Sequence, residues 1–226
     1  MKILVCISHV PDTTSKINFS ENNSVFDKTG VQFVINPNDE FGLTRAIWLK
    51  EKNNAIVHVI NVGLQETEST LRKALAIGAD KAIRINQEPK DGYSVAKHIS
   101  NYITNNTYDL IIAGRESIDY NGGMVPGMIS AFTDINFIDK CIELNISGDS
   151  VTASREIEGG KENISTKLPL IIGGQKGLVE ESELKIPNMR GIMTARTKPL
   201  EVIESSDHTS LTESISFEKP AAKGSC

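Results

Sequence analysis

The stretch IIAGRESIDYNGGMVPG, residues 111–127, joins a short apolar strand to a glycine-rich loop. Four further apolar runs of strand length lie at residues 2–8, 56–62, 82–85 and 168–174, and helix-length segments separate most of them. Near-continuous apolar strands that alternate with helices are typical of a parallel sheet covered on both faces. The stretch therefore predicts one strand of such a sheet and the loop that leaves its carboxyl end.

The segments between these runs predict four helices, at about residues 39–52, 67–77, 92–104 and 121–132. In the second of them, small and apolar residues recur at positions i, i+3, i+4 and i+7 counted from Leu71, while charged residues fall on the opposite side. This spacing is typical of an amphipathic helix that packs one face on a sheet.

From about residue 141 the pattern changes to short runs separated by Gly148-Asp149 and Gly159-Gly160, which predicts antiparallel hairpins. The predicted fold is an α/β, Rossmann-like, doubly wound and mostly parallel sheet with added hairpins. Residues 1–193 are expected to form this domain. Residues 194–226 are polar and acidic, and we expect a C-terminal extension that is mobile or docks on a partner.

The composition excludes several classes of protein. The 226 residues carry a net charge of -5, which argues against nucleic acid and membrane surfaces as partners. The first apolar run is only about five residues long, too short for a signal peptide or a bilayer span. The three cysteines, Cys6, Cys141 and Cys226, are odd in number and widely spaced. These features favour a cytoplasmic protein without a disulfide framework and without membrane insertion.

Three loops leave the carboxyl ends of predicted strands, where ligands bind in open α/β sheets. In the loop of residues 114–127, the glycines Gly114, Gly122, Gly123 and Gly127 permit close approach of the backbone to a phosphate, and a helix start follows. Neither the dinucleotide-binding nor the P-loop glycine motif is present. The alternative is that these glycines only form tight turns.

The sequence contains no convincing catalytic or metal-binding arrangement. Its four histidines do not approach the spacing of metal ligands, and no pair of residues is suited to general acid and base catalysis. Cys6 lies within an apolar strand, where a cysteine normally behaves as a small hydrophobic residue. We therefore expect a protein that is not an enzyme and binds no metal.

The run ASREIEGGKENISTKLPLIIGG, residues 153–174, resembles the signature of the electron transfer flavoprotein β subunit family. The matching positions include Arg155, Glu158, Gly159 and Pro169. Similar stretches occur along nearly the whole chain: ILVCISHVPDTT (3–14), INPNDEFGLTRAIWLKE (35–51), TLRKALAIGADKAIRI (70–85), GRESIDYNGGMVPG (114–127) and IPNMRGIMTARTKPLEV (186–202).

The resemblance implies a heterodimer in which an α subunit holds the redox-active FAD. The β subunit supports that complex and holds a second nucleotide, which is AMP in most members and FAD in bifurcating members. It also implies electron donors such as acyl-CoA dehydrogenases, and a downstream quinone oxidoreductase or ferredoxin as acceptor. The chemistry then belongs to the flavin, and the protein supplies position and electrostatics.

The same resemblance implies two sets of site residues. For partner docking the expected residues are Leu184, Ile186, Pro187 and Met189, with Ile186 as the anchor; the alternative is a turn packed in the core. For the second nucleotide, the alternative roles are a helix N-cap at Asn36 and a solvated loop acid at Asp119. The expected nucleotide-binding residues are Cys6, Ser8, Asn36, Val62, Gly114, Arg115, Ser117, Asp119, Asn121, Gly122, Gly123, Met124, Val125 and Gly127.

The chain departs from the family pattern at Glu116, Asn121, Gly122 and Met124, which removes side-chain donors for phosphates. The pair Ser8-His9 also replaces a basic pair. Whether the second nucleotide is AMP, FAD or absent therefore stays open. Two alternative functions follow: a bifurcating β subunit that binds FAD and accepts hydride from NADH, and a stand-alone nucleotide-binding stress or sensor protein.

Overall fold

The computed structural model describes residues 1–205 and 210–221, in which the chain forms thirteen strands and five α-helices. The helices are α1 Pro37–Asn53, α2 Glu68–Ile77, α3 Gly92–Asn105, α4 Val125–Thr133 and α5 Met189–Ala195. The strands are β1 Lys2–Cys6, β2 His9–Pro11, β3 Asn18–Ser20, β4 Val25–Asp27, β5 Phe33–Ile35, β6 Ile56–Val62, β7 Lys81–Asn86, β8 Leu110–Gly114, β9 Asn136–Ser147, β10 Ser150–Ile157, β11 Gly160–Lys167, β12 Leu170–Gly174 and β13 Leu200–Glu204.

Nine of these strands form one sheet in the order β11-β10-β9-β12-β8-β1-β6-β7-β13. From β9 to β13 of this order, each strand is parallel to its neighbour. The predicted α/β fold with a mostly parallel sheet is confirmed. The predicted hairpins are also present, because β10 is antiparallel to both β9 and β11. Since β9 also pairs with β12, the hairpins extend the main sheet.

Two separate hydrophobic cores cover the faces of the sheet. On one face α1 and α2 pack through Leu43, Ala46, Leu71 and other buried residues. On the opposite face lie residues of α3 and α4, including Ile129. Burial on both faces explains why the central strands consist almost entirely of apolar residues, as the sequence indicated.

The fourth helix begins at Val125, later than the expected residue 121. Asn121 has a left-handed backbone with φ of 50°, which is incompatible with a right-handed helix at that position. Pro126 then lies in the first turn, where the absence of an N–H group costs no helical hydrogen bond. Residues 121–124 consequently remain in the loop.

The segment from residue 194 contributes to the sheet. Helix α5 crosses residue 193, and β13 pairs with β7 in parallel at the sheet edge. The Arg72 guanidinium donates to the carbonyls of Ala195 at 2.7 Å and Lys198 at 2.8 Å, which fixes the chain between α5 and β13. In the described stretch 210–221, Phe217 stacks on Phe19 with ring centroids 4.8 Å apart.

Part of the expected C-terminal extension lies outside the residues that the structure describes. Residues 206–209 and 222–226 of the expected extension, including His208 and Cys226, are not among the described residues. Cys6 and Cys141 are free and buried. In the described part of the chain, no helix has the length and apolar character needed to cross a membrane.

Candidate functional site

Several of the expected nucleotide-binding residues lie at the carboxyl ends of parallel strands. Cys6 ends β1, Val62 ends β6 and Gly114 ends β8, while Asn36 immediately precedes α1. Strand β1 lies between β6 and β8, so these ends are neighbours at one edge of the sheet. The structure thus places Cys6, Val62 and Gly114 at the edge where open α/β sheets bind ligands.

Two of these residues have side chains that belong to the core. Cys6 and Val62 pack in the cluster on the α3 and α4 face. Burial, together with the neighbouring charge of Asp39, raises the pKa of the Cys6 thiol far above its usual range. Cys6 is therefore an inert thiol, and a ligand at this edge would meet the main chain of the two residues.

Asn36 connects α1 to the loop of residues 114–127. Its side chain is fully buried and makes no capping hydrogen bond to the helix. Instead, Asn36 Nδ2 donates to the Glu116 carbonyl at 2.9 Å, and Asn36 Oδ1 accepts from the Ile118 N–H at 3.3 Å. Asn38 Nδ2 donates to the same Glu116 carbonyl at 3.2 Å. Asn36 thus holds the loop instead of capping α1.

Asp39, which the sequence analysis did not place in the site, connects the ends of β1 and β8. Its side chain is 2% exposed. Oδ2 accepts from the Ser8 N–H at 2.7 Å, and Oδ1 accepts from the Gly114 N–H at 2.9 Å. A Cβ atom at position 114 would lie 2.4 Å from Asp39 Oδ1, so only glycine allows this approach. Burial raises the pKa of Asp39 to about 7, although the N–H donors favour the ionised form.

The stability of the protein should reflect this titration. An unfolded aspartate has a pKa of about 3.9, and the folded value is about 7. Between these values the folded chain binds a proton that the unfolded chain has released. The free energy of unfolding should therefore fall with rising pH, by at most about 1.4 kcal/mol per pH unit.

Chemical denaturation of the wild type and of Asp39→Asn, at several pH values between about 5 and 7, measures this effect. The wild type should lose stability relative to the variant as the pH rises, because the asparagine does not titrate. A stability difference that stays constant over this range would contradict the titration of Asp39.

The loop after β8 closes on itself through local contacts. The Ser117 N–H donates to the Gly122 carbonyl at 3.1 Å. The exposed Asp119 accepts from the Tyr120 N–H at 2.9 Å and from the Ser117 hydroxyl. These contacts of Asp119 stabilise the turn. Gly123 lies close to the first part of the loop, because a Cβ there would be 3.2 Å from the Arg115 carbonyl oxygen.

Arg115 is the cation of residues 114–127, and its charge is already paired. Its guanidinium lies 2.8 Å from Glu116 Oε1 and donates to Gln175 Oε1 at 3.1 Å. Main-chain N–H groups at the start of α4, at Val125, add positive potential, because the first residues of a helix have N–H groups without intrahelical acceptors. Such a loop is suited to hold a phosphate through its backbone.

The expected docking residues occupy a separate, anchored segment. Ile186 and Met189 are 82% and 75% exposed, while Leu184 and Pro187 are half-buried. The Lys185 N–H donates to Thr44 Oγ1 at 3.1 Å, which ties the segment to α1. The structure therefore presents two apolar side chains to the solvent instead of packing them in a core.

The helical periodicity of the sequence indicates that Asp39 lies on the buried face of α1. Asp39, Leu43 and Ala46 recur at positions i, i+4 and i+7 of α1, and all three are buried. Asp39 therefore lies on the face that packs against the sheet. Its acidic character and its place in the first helical turn had suggested only a favourable interaction with the helix dipole.

Comparisons with known proteins agree with these features. Residues 23–208 match the family described as Electron transfer flavoprotein domain. The chain is 37% identical over 211 residues to the electron transfer flavoprotein subunit beta of Bacillus subtilis, covering 92% of this chain and 80% of that protein. It is 30% identical over 225 residues to the subunit of the same name from Syntrophomonas wolfei, covering 99% and 87%.

The human protein of that name is 29% identical over 230 residues, covering 97% of this chain and 89% of the relative. The similarity thus includes the strands of the sheet, the loop of residues 114–127 and the exposed segment at residues 184–189. The chain belongs to the electron transfer flavoprotein family.

Proposed function

We propose that this chain is the β subunit of a heterodimeric electron transfer flavoprotein. In this proposal it passes electrons from dehydrogenases, such as acyl-CoA dehydrogenases, to a quinone oxidoreductase or ferredoxin. The electrons travel through an FAD that the α subunit holds, and this chain binds AMP as a second nucleotide. The observation that carries the proposal is the family match over residues 23–208 together with the loop of residues 114–127 at the sheet edge.

The donors at the sheet edge fit a nucleotide phosphate. Gly122 and Gly123 have no side chains, and an added Cβ at Gly122 would meet no atom within 4 Å. The N–H groups of residues 122–125 would hold the phosphate, while Asn36 fixes the preceding part of the loop. FAD supplies the redox chemistry when it is bound in the complex. In this proposal the residues of this chain position the nucleotides and shield them from water. We assign no proton transfer to these residues.

The exposed segment supports the proposed exchange with redox partners. Ile186 and Met189 are exposed apolar side chains on a segment that a hydrogen bond to Thr44 anchors. Apolar side chains on an anchored backbone lose little conformational freedom on binding, which favours docking. In the proposal this surface docks on the dehydrogenase, and the sheet edge holds the nucleotide.

Co-expression of the full chain with an α-type subunit tests the proposed assembly. We expect a yellow heterodimer in which both chains elute together and FAD remains bound through gel filtration. If this chain stays monomeric beside a folded α-type subunit and leaves its flavin content unchanged, the proposed function is wrong.

A further inference from the structure

The crevice between β1 and β8 lies at the point where the strand order reverses, although these strands run parallel. From β1 the chain proceeds to β6 on one side, whereas β8 and β12 lie on the other side. In open α/β sheets a ligand commonly binds in the crevice outside such a point, and main-chain N–H groups at the strand ends point toward it. The occupant of this crevice in the present chain is a side chain, the carboxyl group of Asp39.

Each oxygen of Asp39 accepts a hydrogen bond from a different strand end. The Ser8 N–H follows β1 and lies 2.7 Å from Oδ2, and the Gly114 N–H ends β8 and lies 2.9 Å from Oδ1. Hydrogen bonds from N–H groups to a buried carboxylate are short and strong. Because both N–H groups donate to Asp39, neither is left to donate to a phosphate.

The first turn of α1 also fixes the loop that follows β8. Asn36 contacts the Glu116 carbonyl and the Ile118 N–H, so Asn36 and Asp39 together restrain residues 114, 116 and 118. Both side chains are buried, which protects these hydrogen bonds from competition with water. One helical turn therefore sets the position of the loop relative to the end of β1.

We propose that Asp39 is a positioning residue of the nucleotide site, which holds the ends of β1 and β8 together and directs the phosphate to the N–H groups of residues 122–125. This inference rests on the proposed nucleotide function. In this arrangement the N–H groups of Ser8 and Gly114 donate to Asp39, and the N–H groups of residues 122–125 donate to the nucleotide.

The variant Asp39→Asn tests the inference, and Asp109→Asn is its matched control. The Asp109 carboxylate accepts from the Lys2 N–H at 2.7 Å and so joins β1 and β8 at the opposite end of the same strand pair. Both variants replace a carboxylate that accepts a main-chain N–H, but only Asp39 is close to the loop. AMP binding is measured by calorimetry on nucleotide-depleted heterodimer, at about pH 9, where Asp39 with its pKa of about 7 is ionised, and at a temperature where every variant is folded.

We expect Asp39→Asn to weaken AMP binding about tenfold, since one of two charge-assisted hydrogen bonds is replaced by a contact between two N–H donors. Asp109→Asn should change the affinity by less than about twofold even if it lowers the melting temperature equally. Equal losses of affinity in the two variants, or unchanged binding by Asp39→Asn, would overturn the proposal.

Amide hydrogen exchange in the wild-type heterodimer gives a second test that does not depend on the folding of a variant. The Ser8 and Gly114 amides should be protected without AMP and should gain nothing when AMP is added, whereas amides of residues 122–125 should gain protection. Protection of Ser8 and Gly114 that appears only with AMP would overturn the assignment to Asp39. Wild-type heterodimer that binds no AMP would instead contradict the proposed function, while the protection without AMP still tests Asp39.

Discussion

Ile186→Asp should weaken the docking of the heterodimer on an acyl-CoA dehydrogenase at least about 30-fold, equivalent to about 2 kcal/mol. The side chain is 82% exposed, so the free protein loses little stability when it is replaced. In the bound state, however, a carboxylate would be buried against an apolar partner surface without a counter-charge. The expected result is a raised KM for the heterodimer in dehydrogenase assays, with the heterodimer itself intact.

Ile215→Asp is the matched control, because Ile215 is 86% exposed but belongs to the C-terminal segment. It introduces the same charge on a side chain of nearly equal exposure. Its KM for the dehydrogenase should stay close to the wild-type value. If Ile186→Asp instead dissociated the heterodimer, the segment would be a structural contact with the α-type subunit and the docking assignment would be wrong.

Gly123→Val should reduce nucleotide occupancy of the purified heterodimer about tenfold or more. A Cβ atom added at this position would lie only 3.2 Å from the Arg115 carbonyl oxygen, and the methyl groups of valine extend farther. The loop must therefore open or shift, which moves the N–H groups of residues 122–125 away from a phosphate. Chromatography of the small molecules released from equal amounts of protein measures the loss.

Gly160→Val provides the comparison for this substitution. Gly160 opens β11, and an added Cβ there meets no atom within 4 Å. Nucleotide occupancy should remain at the wild-type value in this variant. Unchanged occupancy in Gly123→Val would place the nucleotide elsewhere, whereas a loss in both variants would indicate a general effect on the assembly of the heterodimer.

The central strands could be predicted because burial on both faces requires an almost continuous run of apolar residues. The short apolar strand predicted at the start of residues 111–127, for example, corresponds to the second part of β8, which is fully buried. The apolar pattern of β13 is weaker, since this strand lies at the sheet edge and several of its residues are exposed. The short strands β2 and β5 were also missed, because each has only three residues and pairs with a partner distant in sequence.

The position of the loop after β8 was predictable, but its hydrogen-bonded connections were not. The glycines and the family resemblance indicated the loop after β8, and the structure places that loop at the carboxyl edge of the sheet. The hydrogen bonds of Asn36 to Glu116 and of Asp39 to Gly114 join residues 80 and 75 positions apart. Such pairings depend on the three-dimensional arrangement of strands, which a local sequence pattern does not encode.

The proposal that this chain holds AMP beside an FAD of the α-type subunit has one decisive test. It is the identity and stoichiometry of the nucleotides that are released when the purified heterodimer is denatured. We expect one FAD and one AMP for each heterodimer, with the FAD lost when the α-type subunit is removed and the AMP retained by this chain. Two FAD molecules and no AMP for each heterodimer would contradict it and indicate a bifurcating β subunit.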